Sequence, residues 1–142
     1  MARIVIVEDD GALRHDMADR LEGWGHAVSH SSNIAEGQSI IENIRPDIIL
    51  CDINMPSGSG FSLFNILNEE AAKYPRRRFI FMTSISDPLA RKYGIESGAD
   101  GYIAKPINYS QLKAVIDLNV ERATDGWAAK LRKLCGQSTA TA

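Results

Sequence analysis

Five short apolar runs, each followed by a segment of helical periodicity, constrain this chain more than any other feature. The runs are Ile4 to Val7, a weaker Ala27 to His30, Ile48 to Cys51, Phe79 to Met82 and Gly101 to Ala104. The strong runs are continuous rather than alternating, the pattern of a strand buried on both faces. Between and after them, apolar residues recur every three or four positions: Leu13, Met17, Leu21 and Trp24; Ile34, Ile41 and Ile44; Phe64, Leu67, Ala71 and Tyr74; Leu112, Val115, Ile116 and Val120. Gly25 ends the first stripe, Asn33 caps the second with Pro46 after its end, and Pro75 stops the third. Asp87 and Pro88 have the chemistry of an N-cap and first helical residue, opening a further helix toward Gly98. Five strand–helix pairs predict an α/β domain with a parallel sheet covered on both faces. Right-handed crossovers leave few topologies, and five units favour an open doubly wound sheet over a closed barrel, which needs about eight.

The composition suits such a core. The 142 residues are 44% hydrophobic and 24% charged, with a net charge of −2. That balance gives no global attraction to nucleic acid or an anionic membrane. The apolar runs are too short to span a bilayer, and "MARIVIVEDD" lacks the apolar stretch and cleavage site of a signal peptide. Cys51 and Cys135 are far apart and suggest no disulfide framework. A cytoplasmic protein is expected.

In an open parallel sheet, functional groups gather outside the carboxyl ends of the strands. Glu8, Asp9 and Asp10 follow the first run, and Asp52 follows the third within "LCDINMPSGSG". Thr83 and Ser84 follow the fourth, and Lys105 and Pro106 the fifth. One such acid is ordinarily a solvated turn residue; four polar exits at one edge point to a site. Two carboxylates about 4 Å apart repel by roughly 4 kcal/mol at an effective dielectric near 20. Lys105 supplies one positive charge among them, and Mg²⁺ suits the remaining oxygens together with a phosphate. In such a site Asp52 can act as nucleophile toward a phosphoryl group, giving an aspartyl phosphate. Lys105 and the Thr83 hydroxyl can bind the phosphoryl oxygens.

These residues resemble the receiver domain of bacterial two-component response regulators. The motifs are "VEDD", "CDINMPSGSG", "MTS" and "GADGYIAKP", in that order, within residues 2 to 123. The resemblance implies a flavodoxin-like sheet of order 2-1-3-4-5 with five helices, as in stand-alone chemotaxis-type receivers. It implies that Asp52 is the phosphoacceptor and that Asp9, Asp52 and the Asn54 backbone carbonyl bind Mg²⁺, with Glu8 acting through water. Asp10 falls one place beyond the acid pair and stays outside that set. Thr83 is implied as the hydroxyl that moves toward the phosphoryl group, Lys105 as its cationic partner, and Tyr102 as the aromatic whose rotamer follows phosphorylation. The Lys105–Pro106 peptide is often cis in such domains. The implied donor is a sensor histidine kinase or a histidine phosphotransfer protein. The implied output is a change in the face of the fourth helix and fifth strand, read by a downstream protein target. Neither direct nucleic-acid binding nor membrane binding is expected.

Other features receive plainer readings. Cys51 reads as a small core hydrophobe, and His15, His26 and His30 show no ligand spacing. Arg76 to Arg78 read as a solvated loop. The resemblance implies that the residue two beyond Thr83 influences water access, so apolar Ile85 is expected to shield the phosphoryl group and slow its hydrolysis. The boundary is drawn as a receiver over residues 1–123 and a C-terminal extension over 124–142. Ile116, Val120, Ala123, Trp127, Leu131 and Leu134 form a coiled-coil-like seam, which fits either a homodimer contact or a packed C-terminal turn. Two other functions stay open. The chain can be the receiver portion of a longer regulator, or an Asp-nucleophile phosphatase. The phosphatase reading suffers because Asn54 stands where a titratable general acid is needed.

Overall fold

The computed structural model describes residues 1–70, 77–84 and 98–120. In chain order these form β1 (Arg3–Val7), α1 (Gly11–Gly23), β2 (Ala27–Ser31), α2 (Ile34–Ile44) and β3 (Ile48–Asp52). Two short strands follow, β4 (Asn54–Met55) and β5 (Gly58–Ser59), then α3 (Gly60–Glu69), β6 (Arg78–Ser84) and β7 (Gly101–Lys105). A helix over residues 109–120, α4, is the last described element. The helix expected from Asp87 and Pro88, Ile85, the Pro75 stop and the seam through Trp127 lie outside the described residues.

The main sheet runs β2-β1-β3-β6-β7, parallel throughout, which is the flavodoxin-like order expected from the sequence. Alternation along each strand splits the apolar residues into two cores. Val5, Val7, Ile49, Cys51, Phe79 and Phe81 face α2 and α3. Ile4, Ile6, Ile48, Leu50, Ile80, Met82 and Ile103 face Met17 and Leu21 of α1 and Leu112 and Ile116 of α4. Every residue of β3 is buried, as its unbroken apolar run requires. β2 is a sheet edge with mostly half-buried residues, which is why its run "AVSHS" reads weakly.

Local chemistry starts each helix. Asp10 accepts from the Leu13 N–H at 3.1 Å, Asn33 from the Glu36 N–H at 2.8 Å, and Ser59 from the Phe61 N–H at 3.1 Å. Asn108 does the same for α4, accepting from the Gln111 N–H at 3.1 Å. Arg45 closes α2 in the left-handed region at φ 52°, and Pro46 prevents continuation. One expectation is corrected. Arg78 is not loop but the first residue of β6, where its guanidinium pairs with Asp100 at 3.4 Å. The other Asp100 oxygen accepts from the Phe79 N–H at 2.7 Å, so the two residues tie the start of β6 to the entry of β7.

Candidate functional site

Register brings the polar strand ends together. Val7 lies beside Cys51, Asp52 beside Met82, and Ser84 beside Lys105. Asp52 and Lys105 are the final residues of β3 and β7 rather than loop residues, and Thr83 lies inside β6.

Glu8 is fully buried and held on four sides. Its N–H donates to the Ser31 carbonyl at 3.0 Å, and its own carbonyl accepts from Arg14 Nη1 at 2.9 Å. Its Oε2 accepts from the Asp10 N–H at 3.1 Å. Its Oε1 lies 2.6 Å from Lys105 Nζ, an ion pair rather than an aligned hydrogen bond. The same ammonium donates to Asp52 Oδ2 at 3.0 Å, so Lys105 bridges the ends of β1 and β3. Asp52 Oδ1 accepts from the Asn54 N–H at 3.2 Å. Asp9 is exposed, and carboxylate oxygens of Glu8, Asp9 and Asp52 lie within 4.8 Å of one another.

Burial pushes the Glu8 carboxyl upward, Lys105 and the Asp10 N–H pull it back, and the Asp52 charge adds to the rise; the net direction is up. Burial alone would lower Lys105, but its bonds to Glu8 and Asp52 outweigh that and leave it raised. Lys105 is therefore charged at neutral pH. Three carboxylates and one ammonium carry a formal −2, which a divalent cation would neutralise. A hard cation such as Mg²⁺ takes oxygen ligands of this kind. The donor set fits that ion: Glu8, Asp9 and Asp52 can hold it.

The exit from β3 is rigid. Ile53 donates its N–H to the Met82 carbonyl at 3.1 Å, and Gly60 donates to the Ile53 carbonyl at 2.8 Å. Between them β4 and β5 form a small antiparallel ribbon, with Gly58 at φ 145°. A Cβ on Gly60 would lie 2.4 Å from the Asp52 carbonyl oxygen and 3.1 Å from Cys51 Sγ. Gly60→Ala is expected to destabilise the fold by about 2 kcal/mol, since backbone must shift to admit the methyl. A lower urea midpoint with an unchanged slope checks this.

The remaining expected residues are placed as follows. Thr83 is buried, and its hydroxyl donates to the Ser84 carbonyl at 3.3 Å. Tyr102 is half-buried with its ring centroid 5.8 Å from that of Phe81, at the end of a cluster with Phe61, Phe64 and Phe79. The Lys105–Pro106 peptide is cis. Cys51 is buried, its thiol pushed up by burial and then by the Asp52 and Glu8 charges, which suits a core residue and not a reactive thiolate.

The sequence reading missed several residues around the site. Asp10 caps α1 and braces Glu8. Arg14 and His30 reach the same turn, since Arg14 Nε donates to His30 Nδ1 at 3.1 Å. Tyr109 bonds Asp16 and lies under the Arg20 guanidinium, 4.4 Å from the ring centroid, which links α1 to α4. Burial and then Asp16 push the Tyr109 hydroxyl up to about 12. The Asp10 cap has a sequence signal, an Asp three residues before Leu13; the other contacts join distant segments and have none.

The structure thus presents three carboxylates and a lysine at the carboxyl edge of a doubly wound parallel sheet. The profile of the response regulator receiver domain matches residues 4–117. The chain belongs to the response regulator receiver domain family. Over 130 residues it is 28% identical to the transcriptional regulatory protein YxdJ of Bacillus subtilis, covering 92% of this chain and 55% of that protein. The chain thus spans about half the length of the curated relatives it matches. Among solved structures, a CheY-like response regulator receiver domain protein of Methanospirillum hungatei is 28% identical. It superposes with a TM-score of 0.79, over 89% of this chain and 98% of that one. A receiver domain protein of Clostridium thermocellum is 25% identical with a TM-score of 0.77, over 87% and 98%.

Proposed function

We propose that the chain is a phosphorylation-controlled signalling switch in which Asp52 accepts the phosphoryl group. The observation that carries this is the bridge from Lys105 Nζ to Asp52 and Glu8, beside three carboxylates within 4.8 Å. The Asp52 oxygen attacks phosphorus as the bond to a phosphohistidine nitrogen breaks; the electron pair stays on that nitrogen, and the imidazole leaves neutral with the proton its other nitrogen already carried. The donor is a sensor histidine kinase or a histidine phosphotransfer protein. Asp9, Asp52 and the Asn54 carbonyl would hold Mg²⁺, with Glu8 acting through water. When bound, it neutralises the phosphoryl oxygens and so lets an anion approach an acidic edge. Lys105 pairs with a phosphoryl oxygen in exchange for its contact with Asp52, and the Thr83 hydroxyl donates to another. Tyr102 repacks as Thr83 moves, which biases a bistable surface at β7 toward a downstream protein target.

The receiver unit is residues 1–123, with 124–142 as an extension available for self-association. A second reading has a specific observation behind it: the matched relatives are about twice as long, so this unit can be the receiver part of a longer regulator. In that case relatives such as the transcriptional regulatory protein YxdJ make gene control through another domain the output. A phosphatase reading lacks its general acid, since residue 54 is an asparagine whose N–H serves Asp52. Among the described residues no helix is long and apolar enough to cross a membrane, which suits action in the cytoplasm.

Incubation with acetyl phosphate and Mg²⁺ is expected to add the mass of one phosphoryl group, read by intact-protein mass spectrometry. Chelation of the cation with EDTA is expected to prevent it. A protein that gains no adduct from any small phosphodonor is a scaffold, not a phosphoacceptor.

A further inference from the structure

Arg14 lies one turn into α1, the helix between β1 and β2, and its side chain ties the turn that follows β1 to β2 itself. Nη1 donates to the Glu8 carbonyl at 2.9 Å, and Nε donates to His30 Nδ1, on β2, at 3.1 Å. The Glu8 N–H is already fixed by the Ser31 carbonyl at 3.0 Å. Arg14 therefore completes the restraint on both sides of the Glu8 residue, directly before exposed Asp9. A carboxylate on an exposed turn depends on the peptide that carries it, because its own side chain is free to rotate.

We propose that Arg14 is a positioning residue of the acidic site: it fixes the Glu8–Asp9 turn through the Glu8 carbonyl, and the neutral imidazole of His30 holds the guanidinium in place. The inference rests on reading Glu8, Asp9 and Asp52 as a divalent-cation site.

His30 can accept this bond only while Nδ1 is unprotonated. Its surroundings favour that state. Burial lowers its pKa first, then Arg14 and His15 of α1; Glu22 of α1 and Glu36 of α2 oppose them. The His15 ring stands edge-on with its centroid 4.9 Å away. On acidification through the histidine range, Nδ1 takes a proton, the bond is lost, and Arg14 faces a second cation. The clamp is thus closed at neutral pH and opens as the pH falls.

A charge test separates positioning from simple electrostatics. Arg14 is a cation beside a cation site. If it acts only through its charge, Arg14→Met tightens divalent binding and Arg14→Lys leaves it unchanged. If it positions the turn, both weaken binding, because a lysine lacks the fork that spans the carbonyl and the imidazole. Mn²⁺ is the probe, with its free-ion electron paramagnetic resonance signal read on the full chain at about pH 7.5 and about pH 5.5. Both Arg14 variants are expected to bind Mn²⁺ about tenfold more weakly at the higher pH, the usual scale for a group that orients a ligand. His30→Gln keeps an acceptor at every pH. It is expected to match wild type at the higher pH and to lose less affinity than wild type at the lower one.

Unchanged or tighter binding by both Arg14 variants overturns the positioning role. Should Arg14→Met show no cooperative thermal transition, Arg14→Lys and His30→Gln decide alone. An identical acid loss in wild type and His30→Gln removes His30 from the clamp. A wild type that binds no Mn²⁺ fails in its own arm; it refutes the cation site and this inference together, which distinguishes that failure from a failure of Arg14.

Discussion

Asp52→Asn is expected to remove the phosphoryl adduct completely while leaving the domain folded. The substitution is nearly isosteric. An amide oxygen at the Oδ1 position can still accept the Asn54 N–H that the carboxylate holds at 3.2 Å. What disappears is the charged nucleophile, since a neutral amide forms no acyl phosphate. The change also deletes one of three carboxylates within 4.8 Å and leaves Lys105 paired with Glu8 alone. Relief of that repulsion offsets the lost bond to Lys105, so stability is expected to stay within about 1 kcal/mol of wild type. Intact mass after acetyl phosphate treatment and a urea melt of the same sample check both statements. An adduct that persists in Asp52→Asn moves the phosphoacceptor to another residue.

Lys105→Met is expected to cost about 3 kcal/mol at neutral pH, because it leaves the wholly buried Glu8 and the buried Asp52 without their shared cation. Methionine fills the stem's volume but provides no charge. Two treatments are expected to recover part of the loss. Acid is one. Burial already raises the Glu8 carboxyl, and Lys105 is among the groups that hold it down. With Lys105 gone the folded pKa rises further above the unfolded one. The native state then binds the proton more tightly, so lowering the pH from about 7.5 toward about 5.5 stabilises the variant. A divalent cation is the other, since it supplies the missing charge. Thermal midpoints of variant and wild type across that range, with and without Mg²⁺, read both effects. A variant as stable as wild type at neutral pH would show that water already screens the Lys105 bridge.

The sheet was readable because β1, β3 and β6 are buried on both faces and need continuous apolar runs. Their order followed from crossover handedness and the resemblance to receivers. The edge strand β2 showed only faintly, since half its surroundings are solvent. Arg78 misled because a run of three arginines reads as loop; in β6 its charge is answered by Asp100, twenty-two residues later. The site's charged residues were legible, as each directly follows its own apolar run in sequence. Their pairing was not: that Lys105 bridges Glu8 and Asp52 depends on side-chain reach across three strand ends. The part played by His30 is illegible in the sequence for a similar reason. His30 matters through Arg14, sixteen residues earlier, and no local pattern announces an imidazole acting as an acceptor.

The close approach of Gly60 to the Asp52 carbonyl has a mechanical consequence. With no side chain between them, and with the Gly60 N–H bonded to the Ile53 carbonyl, the first turn of α3 sits directly against the main chain at the end of β3. A push on Asp52 from the solvent side meets an anvil there and cannot be absorbed by that helix. Toward Lys105 the Asp52 carboxylate meets a side chain on a flexible stem, above strands that are paired through main chain. A charge placed on Asp52 therefore acts first on the side chain of Lys105, not on α3.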